Sequence, residues 1–478
     1  MKLLIKPGKF RSRMLRILIG LTAWLGSVEQ APTHAQGAVT AVVNVTVIDG
    51  TGAAAKPGST VLIRGDKIVE VGPAKQVKVP RGARVIRGEG KYLIPGLWDA
   101  HVHWYNRELL PLFTANGVTG IRIMWGSPLH RSWARDVEAG KLAGPRIYMA
   151  GSIIDGPQKI WPNSTAVGTE AEARAAVTDT KAMGADFVKV YSRLTREGFF
   201  TIADEAKKQG IPIAGHVPGS VTVREASDAG QLTIEHQTGV LLSSSSREDE
   251  LRGMTRGQAV TPALIRQLNQ GMIGSFDAAK AADLAAHLRK NGTWLAPTLT
   301  VLRNMANLDD PAITSDARLK YMPASIRTQW DPKNDFRLQS RTPEDVAIAK
   351  QTYAKNKEVT GILAKAGVGT LAGTDVINPY CFPGFSLHDE LVLLVEAGLT
   401  PMQALQAATL NVAKMMGREA QVGTIEAGKL ADAVLLDADP LADIRNTTRI
   451  RAVLTNGKLL DRAALDKLLA DAEAAARK

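Results

Sequence analysis

The stretch Pro95-Gly96-Leu97-Trp98-Asp99-Ala100-His101-Val102-His103 combines an apolar strand pattern with two histidines at its end. Strands of a parallel sheet are covered on both faces and are therefore nearly continuous apolar runs. Because alternate residues of a strand share a face, the imidazoles of His101 and His103 point the same way. The sequence thus predicts a buried strand that carries a pair of imidazoles at its carboxyl end.

Seven similar apolar segments follow this one and alternate with helical patterns. Strand and helix repeats of this kind are typical of a parallel sheet, and eight of them favour a closed barrel over an open doubly wound sheet. We therefore predict an α/β fold with a (β/α)₈ TIM-type barrel over residues 95–415. The eight predicted strands cover residues 96–102, 117–124, 145–150, 186–191, 212–217, 231–236, 293–299 and 368–375.

Short apolar runs alternate with turns on both sides of the barrel, over residues 36–94 and 416–461. Together they predict a small discontinuous β-sandwich domain built from both flanks. Residues 462–478 are Ala-rich with helical spacing and predict a terminal amphipathic helix. Residues 301–367 separate the last two barrel strands, and we expect this insertion to cover the barrel mouth.

Residues 1–35 have the features of a secretory signal peptide. They contain six Lys or Arg residues, an apolar run over 17–28, and Thr33 and Ala35 at the small-residue positions before a cleavage site. The run is shorter than the roughly 20 residues of a membrane-spanning helix, although an uncleaved anchor is the alternative. We expect an exported, periplasmic protein without a stable membrane span after signal removal.

Composition excludes several classes of protein. The 478 residues are 45% hydrophobic and 22% charged, which is ordinary for a globular protein and not for a disordered chain or a coiled coil. A single cysteine, Cys381, allows no intramolecular disulfide. After residue 35 the chain has 53 basic and 46 acidic residues, a net charge of +7, with no Lys/Arg block among aromatics. We therefore predict no nucleic-acid partner.

Side chains of the kinds that bind metals also occur at the ends of four other predicted strands, namely the fourth, fifth, sixth and eighth. The carboxyl ends of barrel strands meet at one face, where such folds place their active sites. The resulting candidate set is His101, His103, Lys189, His216, His236 and Asp375.

Four imidazoles and a carboxylate in one apolar site are costly to desolvate without a shared cation. Nitrogen and oxygen ligands of this kind suit Zn²⁺, and Mn²⁺, Co²⁺ or Fe²⁺ are alternatives. Lys189 would repel such a cation as an ammonium. Either it is neutral, or its amine has reacted with CO₂ to give a carbamate, which is an anionic ligand able to bridge two metals. We therefore predict one or two divalent ions.

With these motifs the chain resembles the metal-dependent amidohydrolase superfamily over about residues 44–460. Residues 387–411 are similar to its imidazolonepropionase-like and prolidase-like branch. The motifs that carry the resemblance are Val45-Thr46-Val47-Ile48-Asp49-Gly50, the stretch 95–103, Gly215-His216, Glu235-His236, Gly373-Thr374-Asp375 and residues 423–436.

The resemblance implies a ligand assignment. His101, His103 and Asp375 would hold one metal, His216 and His236 a second, and carboxylated Lys189 would bridge them. Water between the metals would attack, and Asp375 would pass its proton to the leaving amine. An unmodified Lys189 would leave a workable site with one metal.

The expected reaction is hydrolysis of an amide, in an Xaa-Pro or other dipeptide or in an N-acyl amino acid. A cyclic amide, lactone or ester hydrolase is the alternative, and a non-catalytic metal-binding scaffold is the alternative from another class. Tyr191 is a candidate for substrate contact, and Trp104 with Tyr105 could form an aromatic pocket wall, although a packing role is as plausible for each. Arg122 and Arg193 could bind a substrate carboxylate, although arginines are common near a barrel rim. We expect a small-molecule substrate. The sequence does not decide between a monomer and a homo-oligomer.

Overall fold

The structure is a computed structural model that describes residues 39–255, 261–339 and 341–477. The predicted signal peptide, residues 1–35, lies outside the described residues, so export stays a prediction. The described strands are β1 (Val39–Val47), β2 (Lys56–Arg64), β3 (Lys67–Pro73), β4 (Arg84–Arg87), β5 (Tyr92–Pro95), β6 (Leu97–Val102), β7 (Val118–Ile123), β8 (Arg146–Asp155), β9 (Thr165–Ala166), β10 (Phe187–Val190), β11 (Ile213–Gly215), β12 (Gln231–Glu235), β13 (Trp294–Ala296), β14 (Ala433–Leu436), β15 (Ile450–Thr455) and β16 (Lys458–Asp461).

The α-helices of the described residues mostly follow the strands, as the alternating pattern predicts. They are α1 (Pro111–Ala115), α2 (Pro128–Glu138), α3 (Glu170–Ala182), α4 (Arg196–Gln209), α5 (Val223–Asp228), α6 (Val240–Ser243), α7 (Glu248–Gly253), α8 (Pro262–Gly274), α9 (Ala278–Asn291), α10 (Leu299–Ala306), α11 (Pro311–Thr314), α12 (Ala324–Trp330), α13 (Pro343–Lys365), α14 (Phe385–Glu396), α15 (Pro401–Ala407), α16 (Leu410–Met415) and α17 (Arg462–Ala476).

The central sheet is a nearly closed parallel barrel, which confirms the predicted fold. Its strand order is β6-β7-β8-β10-β11-β12-β13, and each neighbouring pair is parallel. The eighth segment, residues 368–376, closes the gap through isolated bridges from Thr370 to β13 and from Val376 to β6. It is not a regular strand, and a Cβ on Gly373 would lie 2.8 Å from the Cβ of His101. Glycine therefore permits the close approach that closes the barrel beside His101.

The second sheet joins the two flanks of the barrel, as predicted. Its order is β16-β15-β14-β5-β1-β2-β3, with β4 paired to β1, so the hydrogen bonds connect all of these strands into one mixed sheet. The two flanks meet where β14 runs antiparallel to β5, with Ala433 opposite Pro95. Side chains from both flanks, such as Val45, Leu93 and Leu435, share one apolar cluster.

The insertion between β13 and the eighth segment is helical and contains α10 to α13. Trp330 at the end of α12 is buried and donates from its indole to the carbonyl of Ile377, just after the eighth segment, at 3.0 Å. This hydrogen bond fixes the insertion beside the barrel mouth. At the other end of the chain, α17 packs Leu465 and Ala472 into the large apolar cluster of the barrel. In the parts of the chain that the structure describes, no helix has the length and apolar character to cross a membrane.

Candidate active site

The carboxyl end of the barrel brings four predicted ligand residues into proximity. Nε2 of His101 lies 3.3 Å from Nε2 of His103 and 3.3 Å from Oδ1 of Asp375. Nε2 of His103 lies 3.2 Å from the same carboxylate oxygen, and Nε2 of His236 lies 3.8 Å from Oδ2. One ligand atom each from His101, His236 and Asp375 falls within 4.8 Å of the others. We call the six predicted ligand residues the ligand cup.

A buried ion-pair network orients His101. Its Nδ1 lies 2.7 Å from Oε2 of Glu235, whose other oxygen accepts from Nη1 of Arg122 at 3.1 Å. Both partners are almost wholly inaccessible to solvent, and Thr233 hydrogen-bonds to each of them. Burial alone would raise the pKa of Glu235, but the Arg122 guanidinium and the hydrogen bond from His101 hold it below its usual range. Because Glu235 is anionic, it accepts a hydrogen bond from the Nδ1–H group of His101. The lone pair of Nε2 is then directed at Asp375.

His236 is held by the start of α10. Its Nδ1 lies 2.7 Å from Oγ1 of Thr298, and the backbone of both residues is left-handed, with φ near +55° and +49°. The carboxylate of Glu390, buried on α14, accepts from the amides of Leu299 and Thr300 at 2.9 and 2.7 Å. Left-handed backbone at residues other than glycine is costly and persists where the surroundings fix it. Glu390 therefore helps to fix the turn that carries the hydrogen-bond partner of His236.

Lys189 and His216 contribute polar atoms that have no protein partner. Nζ of Lys189 and Nε2 of His216 are buried and make no hydrogen bond within the described residues. His216 is oriented through Nδ1, which lies 2.8 Å from the Ser192 hydroxyl. Buried polar atoms are nearly always satisfied, so two such atoms in one cup indicate a group that binds there.

The protonation states of the cup residues also favour the binding of a cation. Burial lowers the pKa of His103, lowers that of His216 well below its usual range, and lowers that of His236 to about 3. These imidazoles are therefore neutral near pH 7, which is the form that binds metals. Burial alone would raise the pKa of Asp375, but His236 and His101, which carry positive charge when they are protonated in acid, hold it well below its usual range. The donor set of neutral nitrogens and a carboxylate fits a divalent metal.

Lys189 differs from the other residues of the cup. Its side chain is 0% exposed, and burial lowers its pKa to about 8. An amine with a depressed pKa is more often neutral, and the neutral form is the one that can react with an electrophile such as CO₂. The surroundings of Lys189 therefore fit either alternative left open by the sequence.

The ligand cup opens into a cavity of about 490 Å³, to which His103, His216, His236 and Asp375 contribute. This volume is in the range of small-molecule sites. The remaining wall comes from loops after the barrel strands and from the insertion, as predicted for the cover of the barrel mouth. Those lining residues are Tyr105, Trp125, Ile153, Trp161, Tyr191, Val301, Leu302, Met305, Gln329, Trp330, Asn334, Asp335, Phe336, Arg337, Ile377, Asn378 and Pro379.

The aromatic candidates for substrate contact lie in different places relative to the cavity. Tyr191 lines the cavity with its ring 4.0 Å from that of His216, and burial raises its pKa to about 12. Trp104 has the packing role that the sequence left open, because it is fully buried and is not part of the cavity lining. Its indole donates to the Asn106 carbonyl at 2.6 Å and its ring packs edge-on against Phe113. Tyr105, the other residue considered for an aromatic pocket wall, lines the cavity.

Sequence reasoning missed several residues of the site. Arg122, considered for substrate contact, is buried against Glu235 and does not line the cavity. An arginine inside the apolar strand Val118–Ile123 is a detectable anomaly, because a buried charge requires a partner. Thr298, Glu390 and Arg337 carry no comparable signal, since such residues are common in loops and helices.

Comparisons with known proteins give a matching family and several similar proteins. The family model described as "Amidohydrolase family" matches residues 92–460. The chain is similar to ochratoxinase from Aspergillus niger, with 23% identity over 425 residues, which cover 76% of this chain and 73% of the relative. It is similar to imidazolonepropionase from Symbiobacterium thermophilum over a shorter stretch, with 40% identity over 75 residues, 16% of this chain and 17% of the relative.

Two solved structures show the same fold. A bottromycin amidohydrolase superposes with a TM-score of 0.75 at 26% identity and covers 92% of this chain and 90% of its own. A Xaa-Pro dipeptidase with bound methionine superposes with a TM-score of 0.65 at 21% identity and covers 89% of this chain and 100% of its own.

Proposed function

Because the chain belongs to the amidohydrolase family and is a hydrolase of carbon–nitrogen bonds, we propose that it cleaves the amide of a dipeptide or an N-acyl amino acid. The observation that carries the proposal is the meeting of His101, His236 and Asp375 beside one cavity, which His236 and Asp375 line. The names of the similar proteins, a dipeptidase and an amidohydrolase among them, support an amide as the substrate.

The residues of the ligand cup would hold one or two divalent ions, with Zn²⁺ as the proposed metal. His101, His103 and Asp375 would hold one ion, and His216 and His236 would hold the second. A bound divalent ion lowers the pKa of water to about 7 and polarises a carbonyl oxygen.

Asp375 is the proposed proton carrier. Its pKa lies well below the usual range, so the carboxylate is ionised at neutral pH and can accept a proton from the attacking water. It then returns that proton to the leaving nitrogen, so that the amine departs neutral. The left-handed backbone at Asp375, with φ of +58°, fixes the direction from which the carboxylate acts.

Lys189 is the proposed bridge as a carbamate. The neutral amine bonds to CO₂ and releases one proton, which converts a neutral side chain into an anionic ligand. Lys189→Ala should therefore lower metal content and activity, and added short carboxylic acids should restore part of both. Full activity of Lys189→Ala without such acids would contradict the bridge.

The test of the proposed function is a substrate panel with metal analysis. Protein purified with Zn²⁺ should retain the ion after dialysis and should cleave dipeptides or N-acyl amino acids. The panel includes lactones and cyclic amides as the alternative class. Cleavage of those compounds alone would overturn the proposal, as would a protein that binds no divalent metal and cleaves nothing.

A further inference from the structure

One side of the cavity is a row of aromatic rings that leads from its rim to the ligand cup. Phe336 lies at the rim and is 61% exposed, with its ring 5.7 Å from that of Trp161. Trp161 lies 6.4 Å from Trp125 and donates from its indole to the Tyr191 hydroxyl at 2.9 Å. We call Trp125, Trp161 and Phe336 the aromatic wall. Because Tyr191 packs on His216, the wall is continuous with the ligand cup.

Arg337 is the one Lys or Arg side chain of the cavity lining within the described residues. Its guanidinium carbon lies 5.8 Å from the ring centre of Trp161, so the charge is placed beside the aromatic wall. Burial alone would lower the pKa of Arg337, but its hydrogen bonds to Asp335 raise it, with smaller contributions from Asp375 and Tyr191. The cation therefore shares the cavity with the residues proposed to act on the amide.

The hydrogen bonds of Arg337 leave one edge of the guanidinium available. Asp335 accepts from Nε at 2.9 Å and from Nη2 at 2.6 Å, and Asn378 accepts from Nη1 at 2.9 Å. These bonds use three of the five N–H groups. One N–H on each terminal nitrogen is left without a partner among the described residues. We call these two groups the free edge of the guanidinium, and both can donate to a carboxylate.

Asp335 orients this edge without closing it. Its carboxylate is largely buried and also accepts the backbone amide of Arg337 at 2.9 Å, so the pair forms a rigid turn. A guanidinium fixed in this way loses little side-chain entropy when a ligand binds. A neutral apolar ligand would cover the two free N–H groups without offering an acceptor, and that desolvation opposes its binding.

We propose that Arg337 and the aromatic wall form the subsite that selects the substrate, an amide that bears both a free carboxylate and an aromatic group. The inference rests on the proposed function, since it names the substrate class of the same cavity. The carboxylate pairs with the free edge of Arg337, and the aromatic group covers the partly exposed rings of Trp161 and Phe336. Both features lie on the wall beside the amide-cleaving cup.

The experiment compares N-benzoylphenylalanine with its carboxamide, using benzoate release as the readout for both. The metal-replete wild type should have a lower KM for the acid. Arg337→Ala should raise the KM of the acid roughly 10- to 100-fold and leave the KM of the carboxamide within about threefold. Arg337→Lys keeps the positive charge but not the planar pair of donors of the guanidinium. Its KM for the acid should lie between those of the wild type and Arg337→Ala. Arg327→Ala, which removes an exposed arginine of α12, is the matched control and should change neither.

The outcomes separate the two proposals. The unchanged KM of the carboxamide shows that Arg337→Ala has folded with an intact cup. Equal KM values for acid and carboxamide, in the wild type and in Arg337→Ala, would overturn the subsite while the proposed function stands. A KM for N-acetylalanine as low as that for N-benzoylphenylalanine would overturn its aromatic part. Failure of the wild type to cleave any amide would overturn the proposed function and the subsite with it.

Discussion

The ligand cup and the aromatic wall face the same cavity but are supported in different ways. His101 is buried at the end of a barrel strand and hydrogen-bonds to Glu235, which in turn pairs with a buried arginine. Phe336, in contrast, is 61% exposed and belongs to the insertion after β13. A side chain fixed by buried partners holds one geometry, whereas an exposed side chain can be exchanged at little cost to stability. The difference indicates that the chemistry lies in the cup and the choice of substrate in the wall.

The largest expected effect belongs to Asp375 in the ligand cup. Asp375→Asn removes the proton acceptor while keeping the size of the side chain, so kcat should fall roughly 10²- to 10⁴-fold. Circular dichroism and thermal unfolding should show that the fold is retained. Measuring kcat at saturating metal separates this effect from weaker metal binding. Turnover close to that of the wild type would exclude Asp375 as the proton carrier.

The next largest effect is expected for Glu235, which supports the ligand cup by hydrogen-bonding to His101. Glu235→Gln neutralises the carboxylate that orients His101, so metal affinity should fall roughly 10- to 100-fold, as is usual for such supporting residues. It also leaves Arg122 buried without a charged partner, which should cost about 3–5 kcal/mol of unfolding free energy. Competition with a chelator and chemical denaturation measure the two effects.

A second buried ion pair supplies the control for Glu235. Asp432 pairs with Arg146 at 2.6 Å, where the flanking sheet meets the barrel, and Asp432 is not part of the cup. Asp432→Asn should lower stability and leave metal affinity unchanged. If both variants lost metal equally, the Glu235 network would have no particular role in holding the ion.

The cup and the wall also differ in how far the sequence predicts them. His101, His103, His216, His236 and Asp375 stand out because imidazoles and carboxylates are rare at the ends of apolar parallel strands. Strand alternation then predicts which of them share a face, and barrel geometry predicts that they meet. The ligand roles themselves, and the carbamate on Lys189, are predictions that the metal experiments address.

The aromatic wall could not be predicted in the same way. Phe336 and Arg337 lie in an insertion with no regular period, and loop conformation depends on contacts that are distant in sequence. The two roles that the sequence left open for Trp104 have a related cause. The strand pattern ends at residue 102, so it does not fix the direction of the Trp104 side chain, and packing against Phe113 turns it into the core.

Glu390, which helps to fix the turn that supports His236, predicts an effect of pH. Burial raises its pKa from the usual 4.5 to about 7, so the folded state holds a proton that the unfolded chain releases between these values. Its contribution to stability is therefore present below about pH 4.5 and is lost as the pH rises through about 7. Relative to Glu390→Gln, the wild type should lose on the order of 3 kcal/mol of unfolding free energy between pH 5 and pH 8.

The measurement is the difference in unfolding free energy between wild type and variant at several pH values, because other titrating groups cancel in the difference. Glu396→Gln is the control on the same helix, since Glu396 is half exposed and pairs with Lys357 at the surface. A difference that stays constant between pH 5 and pH 8 would show that Glu390 ionises alike in the folded and unfolded states.

The smallest expected effect lies in the aromatic wall. Phe336→Leu removes an aromatic contact from the rim, worth about 0.5–1.5 kcal/mol, so the KM for N-benzoylphenylalanine should rise roughly 2- to 10-fold. Because Phe336 is exposed, the melting temperature should not change. Leu129→Ala, an exposed apolar residue of α2 outside the cavity, is the control and should change neither quantity. An equal rise in KM for N-acetylalanine would indicate general damage to the cavity, whereas a rise confined to the aromatic substrate would place substrate choice in the wall.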